Sequence, residues 1–535
     1  MPQLTDRNQQ TSSEELFEAS MTGPFGGIQS ELPPTQIEAF GFANSLNMLF
    51  RKGFAQVRPG FTPLPVLPAP TNEPYMAVAD FFNINGVQIQ CILTPTRLLQ
   101  YSAGAWVQIT GAAFGGSASQ LFSWDVVNYK LCFSQGIDKI WYWDGIAATY
   151  NQTSASAPPA KYLAEVGLHL LAVNPLFPER YYWSGIGDPT DWTGFTSGLN
   201  DNVSNLGPIN GVLKIGQYGY GFHQKGILQI VPTGIGLAPF AFTPVNSSVQ
   251  SAIAPYSIAH MTDNGQELGV YLGVDNVYVF NGTSATSIGD APIGDGSRRR
   301  LGARSRILAD VQAGNPQTIY GFCTYSINGQ AFRAYWLVIP GVSVWVYNFD
   351  ESNWTVFSYT SVINVIGNFF KNQGIRIIDL VGTIASQQWT PATLNGNNPF
   401  EGFLLGFNNG VGGYVDFTNY SEVGALLASG KLTFQDRRHK HTVKGFRVSF
   451  LDVGPISLSI TITNEKNQSE THTIPESGTI GSGSGDELSF VQGFNIQGLR
   501  LQYQINLASR TPAVITEVAP LYQVGGEQRY GTLEN

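Results

Sequence analysis

Lys130-Leu-Cys-Phe-Ser134 is followed by Gln135-Gly136 and then by Lys139-Ile-Trp-Tyr-Trp-Asp-Gly145. An apolar run, a glycine turn, an aromatic run and an Asp-Gly pair follow in quick succession. Apolar and aromatic runs bounded by Gly, Asn and Asp read as strands joined by turns, and Asp-Gly supplies the positive φ angles of a two-residue hairpin. The unit is a β-meander.

The aromatic run has counterparts along the chain: Arg97-Leu-Leu-Gln-Tyr101, Arg180-Tyr-Tyr-Trp-Ser-Gly185, Ile227-Leu-Gln-Ile-Val231, Asn276-Val-Tyr-Val-Phe-Asn-Gly282, Val344-Trp-Val-Tyr347 and Gly413-Tyr-Val-Asp416. Their starting positions step by roughly 42, 41, 47, 49, 68 and 69 residues, and the shorter steps match the blade of a β-propeller. The longer steps leave room for insertions. A four-stranded sheet cannot bury both its faces alone, so such units must stack around an axis. An all-β chain with a propeller of six to eight blades is the expectation.

Composition agrees. The 535 residues are 13% charged and 12% aromatic, with 60 Gly and 30 Pro. This chain is apolar enough to bury a large core and poor in good helix formers.

The text changes on both sides of the repeats. Residues 1–25 are polar and read as a flexible arm. Residues 26–74 carry a possible short helix over 35–50, then Pro63, Pro65, Pro68 and Pro70, whose alternation marks an extended connector. The propeller is expected over 75–420. Beyond it, Thr442-Val-Lys-Gly-Phe-Arg-Val-Ser-Phe450 and Ile456-Ser-Leu-Ser-Ile-Thr-Ile462 alternate with period two, which predicts a β-sandwich module over 421–535. Residues 26–61 hold too few apolar side chains to fold alone and should pack with that module. The Gly- and Ser-rich stretch 477–486 reads as an exposed loop.

A net charge of -9 argues against general affinity for nucleic acid, since phosphate binding relies on Lys and Arg to displace counterions. The start of the chain lacks the apolar core of a signal peptide, and no apolar run is long enough for a helical membrane span, so no membrane insertion is expected. Cys91, Cys132 and Cys323 lie far apart in apolar stretches and read as buried thiols.

The search for chemistry is thin. His439 and His441 stand among Arg437, Arg438, Lys440 and Lys444 without a ligand set for zinc. His169, His223, His260 and His472 accompany no serine elbow or metalloprotease motif. Asp188 and Asp191 flank Pro189 and read as caps on a rigid turn rather than as a glycosidase pair. No catalytic, cofactor-binding or metal-ligating residue is assigned, and an absence of enzymatic activity is the expectation. The sharpest feature is Arg298, Arg299, Arg300, Arg304 and Arg306, placed on an insertion between blades, as a candidate contact to another subunit or to DNA.

Gly26-Gly-Ile28, the stretch from Asn47 ending in Arg58-Pro-Gly-Phe61, Tyr181-Tyr-Trp-Ser-Gly-Ile-Gly-Asp-Pro-Thr-Asp-Trp192 and Asn276-Val-Tyr-Val-Phe-Asn-Gly282 occur in an order that resembles the tail hub or nozzle proteins of short-tailed bacteriophages. That group includes those called tail tubular protein B and packaged-DNA stabilisation protein. The resemblance runs from about residue 25 to 530. It implies a virion protein, assembled in the host cytoplasm, whose six copies form a ring under the portal and adaptor. That ring extends and closes the channel through which double-stranded DNA passes. It further implies contacts to the adaptor above and to tail needle, fibre or spike proteins, a platform built partly from terminal segments, and no cofactor. A carbohydrate-binding or depolymerising β-protein, tail-associated or secreted, is the competing expectation.

Overall fold

A computed structural model describes residues 17–23, 25–37, 41–201, 205–245, 250–290, 302–327, 330–370, 401–416, 423–433, 439–451, 456–474, 488–509 and 513–527. The chain is an all-β propeller joined to a β-sandwich. Among the described residues, seven four-stranded antiparallel sheets are the blades. Their innermost strands are Ala77–Phe82, Ser123–Val127, Tyr162–Val166, Ile209–Ile215, Ala259–Asp263, Tyr320–Ile327 and Ile363–Phe370, and each neighbours the next until the seventh meets the first.

Each of the seven phrases read from the sequence falls on the third strand of its own blade. In blade 2, Trp141 and Trp143 are buried and pair with Phe133 and Leu131, while Tyr142 between them is partly exposed. Alternation buries one indole set against a neighbouring blade and leaves the other face to contact the next. Cys91, Cys132 and Cys323 are buried free thiols within these cores, with their pKa pushed up by burial.

The Asp-Gly pair is not a two-residue hairpin. Asp144 Oδ1 instead accepts the amides of Ile146 and Ala147 at 2.9 and 2.8 Å, and Gly145 takes φ +76° to let the chain bend back. A tight hairpin of this kind joins the first and second strands of blade 2, where Asn128 and Tyr129 both take positive φ, 47° and 63°. Both signs match a type I′ turn.

Blade 7 closes the ring by borrowing its fourth strand. Gly60–Pro63 pairs antiparallel with Gly412–Asp416, so the first and last parts of the propeller are clasped together. The connector read over 26–74 therefore contains a propeller strand. The helix read over 35–50 is absent where the structure describes it: Phe42–Leu46 and Met48–Arg51 are strands, split by Asn47 at φ +57°.

The sandwich draws on both ends of the chain. One sheet runs Leu488–Gly498, His439–Leu451, Val514–Glu527, Phe54–Val57, Met48–Arg51, and Phe17–Glu18 and Met21–Thr22 also pair with Val514–Glu527. Part of the arm is thus ordered as strand. The other sheet runs Phe42–Leu46, Val423–Ser429, Arg500–Ser509, Ile456–Asn464, Ser469–Ile474, with Leu432–Thr433 added to Arg500–Ser509. Phe42 and Phe50 from the early segment share one core with Val448, Phe450, Ile460 and Ile515. The loop read over 477–486 lies outside the described residues.

One node bolts sandwich to propeller. The Asn47 side chain donates to Gly424 O at 2.7 Å and Ser358 Oγ at 3.0 Å, and its Oδ1 accepts from Ser358 N at 2.8 Å and Arg58 Nε at 2.9 Å. Arg58 is buried. It also donates to Pro59 O and Ser358 O and lies 4.0 Å from the Tyr359 ring centroid. Carbonyls and a π face satisfy the guanidinium here.

Candidate axial site

The inner strands of blades 1 to 4 each hold one charged residue, Asp80, Asp125, Glu165 and Lys214. Cross-blade bonds link several of them. Asn368 Nδ2 donates to Asp80, Asp125 Oδ2 accepts the Glu165 amide at 2.6 Å, and Lys214 Nζ is paired with Glu165. Glu267 accepts the Gly216 amide at 2.5 Å and lies 3.3 Å from His260 Nε2, while the Thr262 amide donates to Tyr325 Oη at 2.8 Å.

Of these groups Asp125, Lys214, His260 and Glu267 line an axial cavity of about 460 Å³. Phe122, Trp124, Tyr162, Tyr256 and Tyr320 are among the residues that line it. Tyr256 sits on the short 3-10 turn Pro255–Ser257 between blades 4 and 5, and its hydroxyl donates to Leu121 O at 2.9 Å, on the connection between blades 1 and 2. That bond ties the entry to blade 5 to the connection between blades 1 and 2. Tyr162 packs edge-on to Tyr256 at 6.0 Å.

Burial raises the Asp125 carboxyl to about 6, helped by the nearby Glu165 charge and opposed by the Glu165 and Val126 amides and by Lys214. Glu267 is held below the usual carboxylate range, chiefly by the Gly216 amide. The cavity therefore holds one carboxyl that takes up a proton near neutrality beside another that stays ionised.

Of the arginine cluster, Arg298, Arg299 and Arg300 lie outside the described residues. Arg304 and Arg306 stand on the helix Arg304–Ala313, between blades 5 and 6, as the insertion reading expected. Two positions apart on a helix, they face different partners. Arg304 donates to Asp275 O at 2.8 Å and lies 3.6 Å from Asp290, whereas Arg306 donates to Asn44 Oδ1 at 2.7 Å and sits 5.4 Å from the Trp345 ring. Both are engaged within the chain, so these two do not form one outward-facing patch.

Asp188 and Asp191 cap their turn as read: Asp188 Oδ1 accepts from Thr190 N and Oγ1, and Asp191 Oδ1 from Thr193 N and Gly194 N. His169 and His223 are core residues, bonded to Ser184 O and Gly207 O. His441 is buried, and the side chains of His439, Arg437 and Arg438 lie outside the described residues. No group of three or more potential metal ligands occurs among the described residues. No described helix is long and apolar enough to cross a membrane.

Searching the sequence for closely spaced acids missed the axial carboxylates, because Asp125, Glu165 and Glu267 come from three blades. A usable signal existed for Asp125 and Glu165, each the one acid within the first strand of its repeat, as in Tyr162-Leu-Ala-Glu-Val166; Glu267 stands on a second strand.

No family model and no curated relative matches the chain. Solved structures do. The exo-beta-1,3-galactanase of Phanerochaete chrysosporium with beta-1,3-galactotriose is 8% identical, with 87% of this chain and 100% of that chain covered and a TM-score of 0.27. The extracellular domain of a hybrid two component system protein from B. thetaiotaomicron is 10% identical over 86% and 62%, TM-score 0.40. The Cps50 (Swd1) β-propeller domain of Myceliophteria thermophila is 9% identical over 66% and 99%, TM-score 0.39. At these identities the likeness is one of fold and transfers no residue role. It does correct the expectation that the chain is no enzyme: the structures matched include an enzyme, and the argument from absent sequence constellations fails where a propeller gathers its acids from separate blades.

Proposed function

We propose that the chain is a structural protein of a bacteriophage tail, a nozzle or hub that assembles as a ring, the homohexamer of the family it resembles, and conducts double-stranded DNA. The observation that carries this reading is the composite sandwich. Residues 17–57 and 423–527 form one body, and the propeller is an excursion between them. A ring-forming platform with an appended propeller is the arrangement the resemblance implies.

Two further features support it. Tyr162, Tyr256 and Tyr320 crowd the cavity at the propeller centre, and in this reading the conduit runs between copies rather than through one subunit. A net charge of -9 per chain disfavours tight phosphate contact, which suits a channel that must release DNA. In this reading the ring sits in the virion tail, below the adaptor, and meets needle, fibre or spike proteins at its far end; its assembly takes place in the host cytoplasm.

Negative-stain imaging of the purified chain, alone and mixed with the adaptor of the same virion, tests the proposal. Six-fold rings with an open lumen support it. A monomer under both conditions overturns it.

A further inference from the structure

We propose that the axial cavity is a saccharide site, sized for a glycan of one or two rings. The inference is independent of the ring: it concerns a single subunit and stands or falls without assembly.

Four observations lead there. The first is the volume, about 460 Å³, within the range of small-molecule sites. The second is the aromatic lining of Trp124, Tyr162, Tyr256 and Tyr320, whose rings offer apolar faces of the kind that the C–H face of a sugar ring covers. The third is that the Tyr162 and Tyr320 hydroxyls make no hydrogen bond among the described residues, although both line the cavity and the neighbouring Tyr256 hydroxyl is bonded to Leu121. Two hydroxyls that line one cavity without a partner among the described residues of the chain are open to a ligand that enters it.

The fourth is the character of the rim. Asp125 and Glu267 present carboxylate lone pairs. Lys214, with its side chain 40% exposed, pairs with Glu165 and keeps further N–H donors. The cavity lining therefore holds both acceptors and donors beside its aromatic side chains. An anion is opposed by Asp125 and Glu267, an organic cation by Lys214, and a purely apolar ligand by all three. A polyol with one apolar face meets each group with its complement.

The test uses the full chain with glucose, galactose, N-acetylglucosamine and their β-linked disaccharides, followed by calorimetry and saturation-transfer NMR. Saturable binding is expected with at least one probe. Tyr162→Phe and Tyr320→Phe should each weaken it by roughly five- to tenfold, the worth of one hydrogen bond. Neither change should lower the unfolding midpoint, because neither hydroxyl bonds the protein, and this separates a lost ligand contact from a damaged fold. Absence of saturable binding by every probe overturns the proposal. Binding undiminished in both variants overturns it equally, whether or not rings form.

Discussion

The Tyr181 hydroxyl lies 2.6 Å from Nε2 of His223, and both residues are buried between blades 3 and 4. His223 Nδ1 is 2.6 Å from Gly207 O, which can only accept, so Nδ1 carries the proton and Nε2 receives the tyrosine hydrogen. The blades approach so closely here that a Cβ on Gly221 would fall 1.7 Å from the Tyr181 hydroxyl oxygen. Tyr181→Phe strands a buried imidazole nitrogen and should cost about 1–3 kcal/mol, read as a shift in the urea midpoint. Gly221→Ala should be at least as costly, because the hydroxyl cannot retreat without leaving His223. Wild-type stability in either variant would show that the blades slide freely past this pair.

Asp125 makes stability depend on pH in the less usual direction for an acid. Its carboxyl is raised to about 6 in the fold, chiefly by burial, against an ordinary value near 3.8. Between those values the folded chain binds the extra proton, so stability is fullest below the lower value and is lost as pH rises through about 6. From pH 5 to 7 this one group should remove about 1.4 kcal/mol. Asp125→Asn abolishes that component, so the stability difference between variant and wild type should move in the variant's favour over the same interval. A constant difference would place the carboxyl at its ordinary value.

His223 acts in the opposite sense. Burial lowers its pKa below 6.5, so the unfolded chain takes up the proton first and stability falls as pH drops below that value.

Asn47 concentrates the union of sandwich and propeller in one side chain. Asn47→Ala loses two donated and two accepted bonds, unpairs Arg58 Nε, and leaves an alanine at φ +57°. The expected cost is roughly 3–5 kcal/mol. Asn47→Asp keeps the acceptor for Arg58 and should cost less. Calorimetry checks both, and equal losses in the two variants would remove the Arg58 bond from the explanation.

The repeats were legible because each blade carries one of seven similar phrases on its third strand, and the expected six to eight blades bracket the seven observed. Chain closure was not legible: Gly60–Pro63 has no repeat signature of its own and is identified as a blade strand only by pairing with Gly412–Asp416. The false helix over 35–50 has a local cause. Met48–Arg51 continues the apolar text of Phe42–Leu46, and only the left-handed turn at Asn47 separates two strands that enter different sheets. The axial site was hidden for a topological reason, since Asp125, Glu165 and Lys214 meet only once three blades have closed around the axis.

The joint construction of the sandwich predicts how it fails. The early segment supplies Phe25, Phe42, Met48, Phe50 and Val57 to a core completed by Phe450, Ile460, Ile505 and Ile515. Each large side chain contributes about 1.5–3 kcal/mol by burial, so losing five removes as much as a whole domain's usual net stability. A chain lacking residues 1–58 but retaining Gly60–Pro63 keeps every propeller strand, including the one that closes blade 7. In hydrogen exchange, amides of 439–451, 456–464 and 500–509 should then lose protection, while those of blades 1 to 5 keep theirs. Full protection of the C-terminal strands in that chain would mean that they fold without the early segment, and the sandwich would have to be regarded as an independent domain.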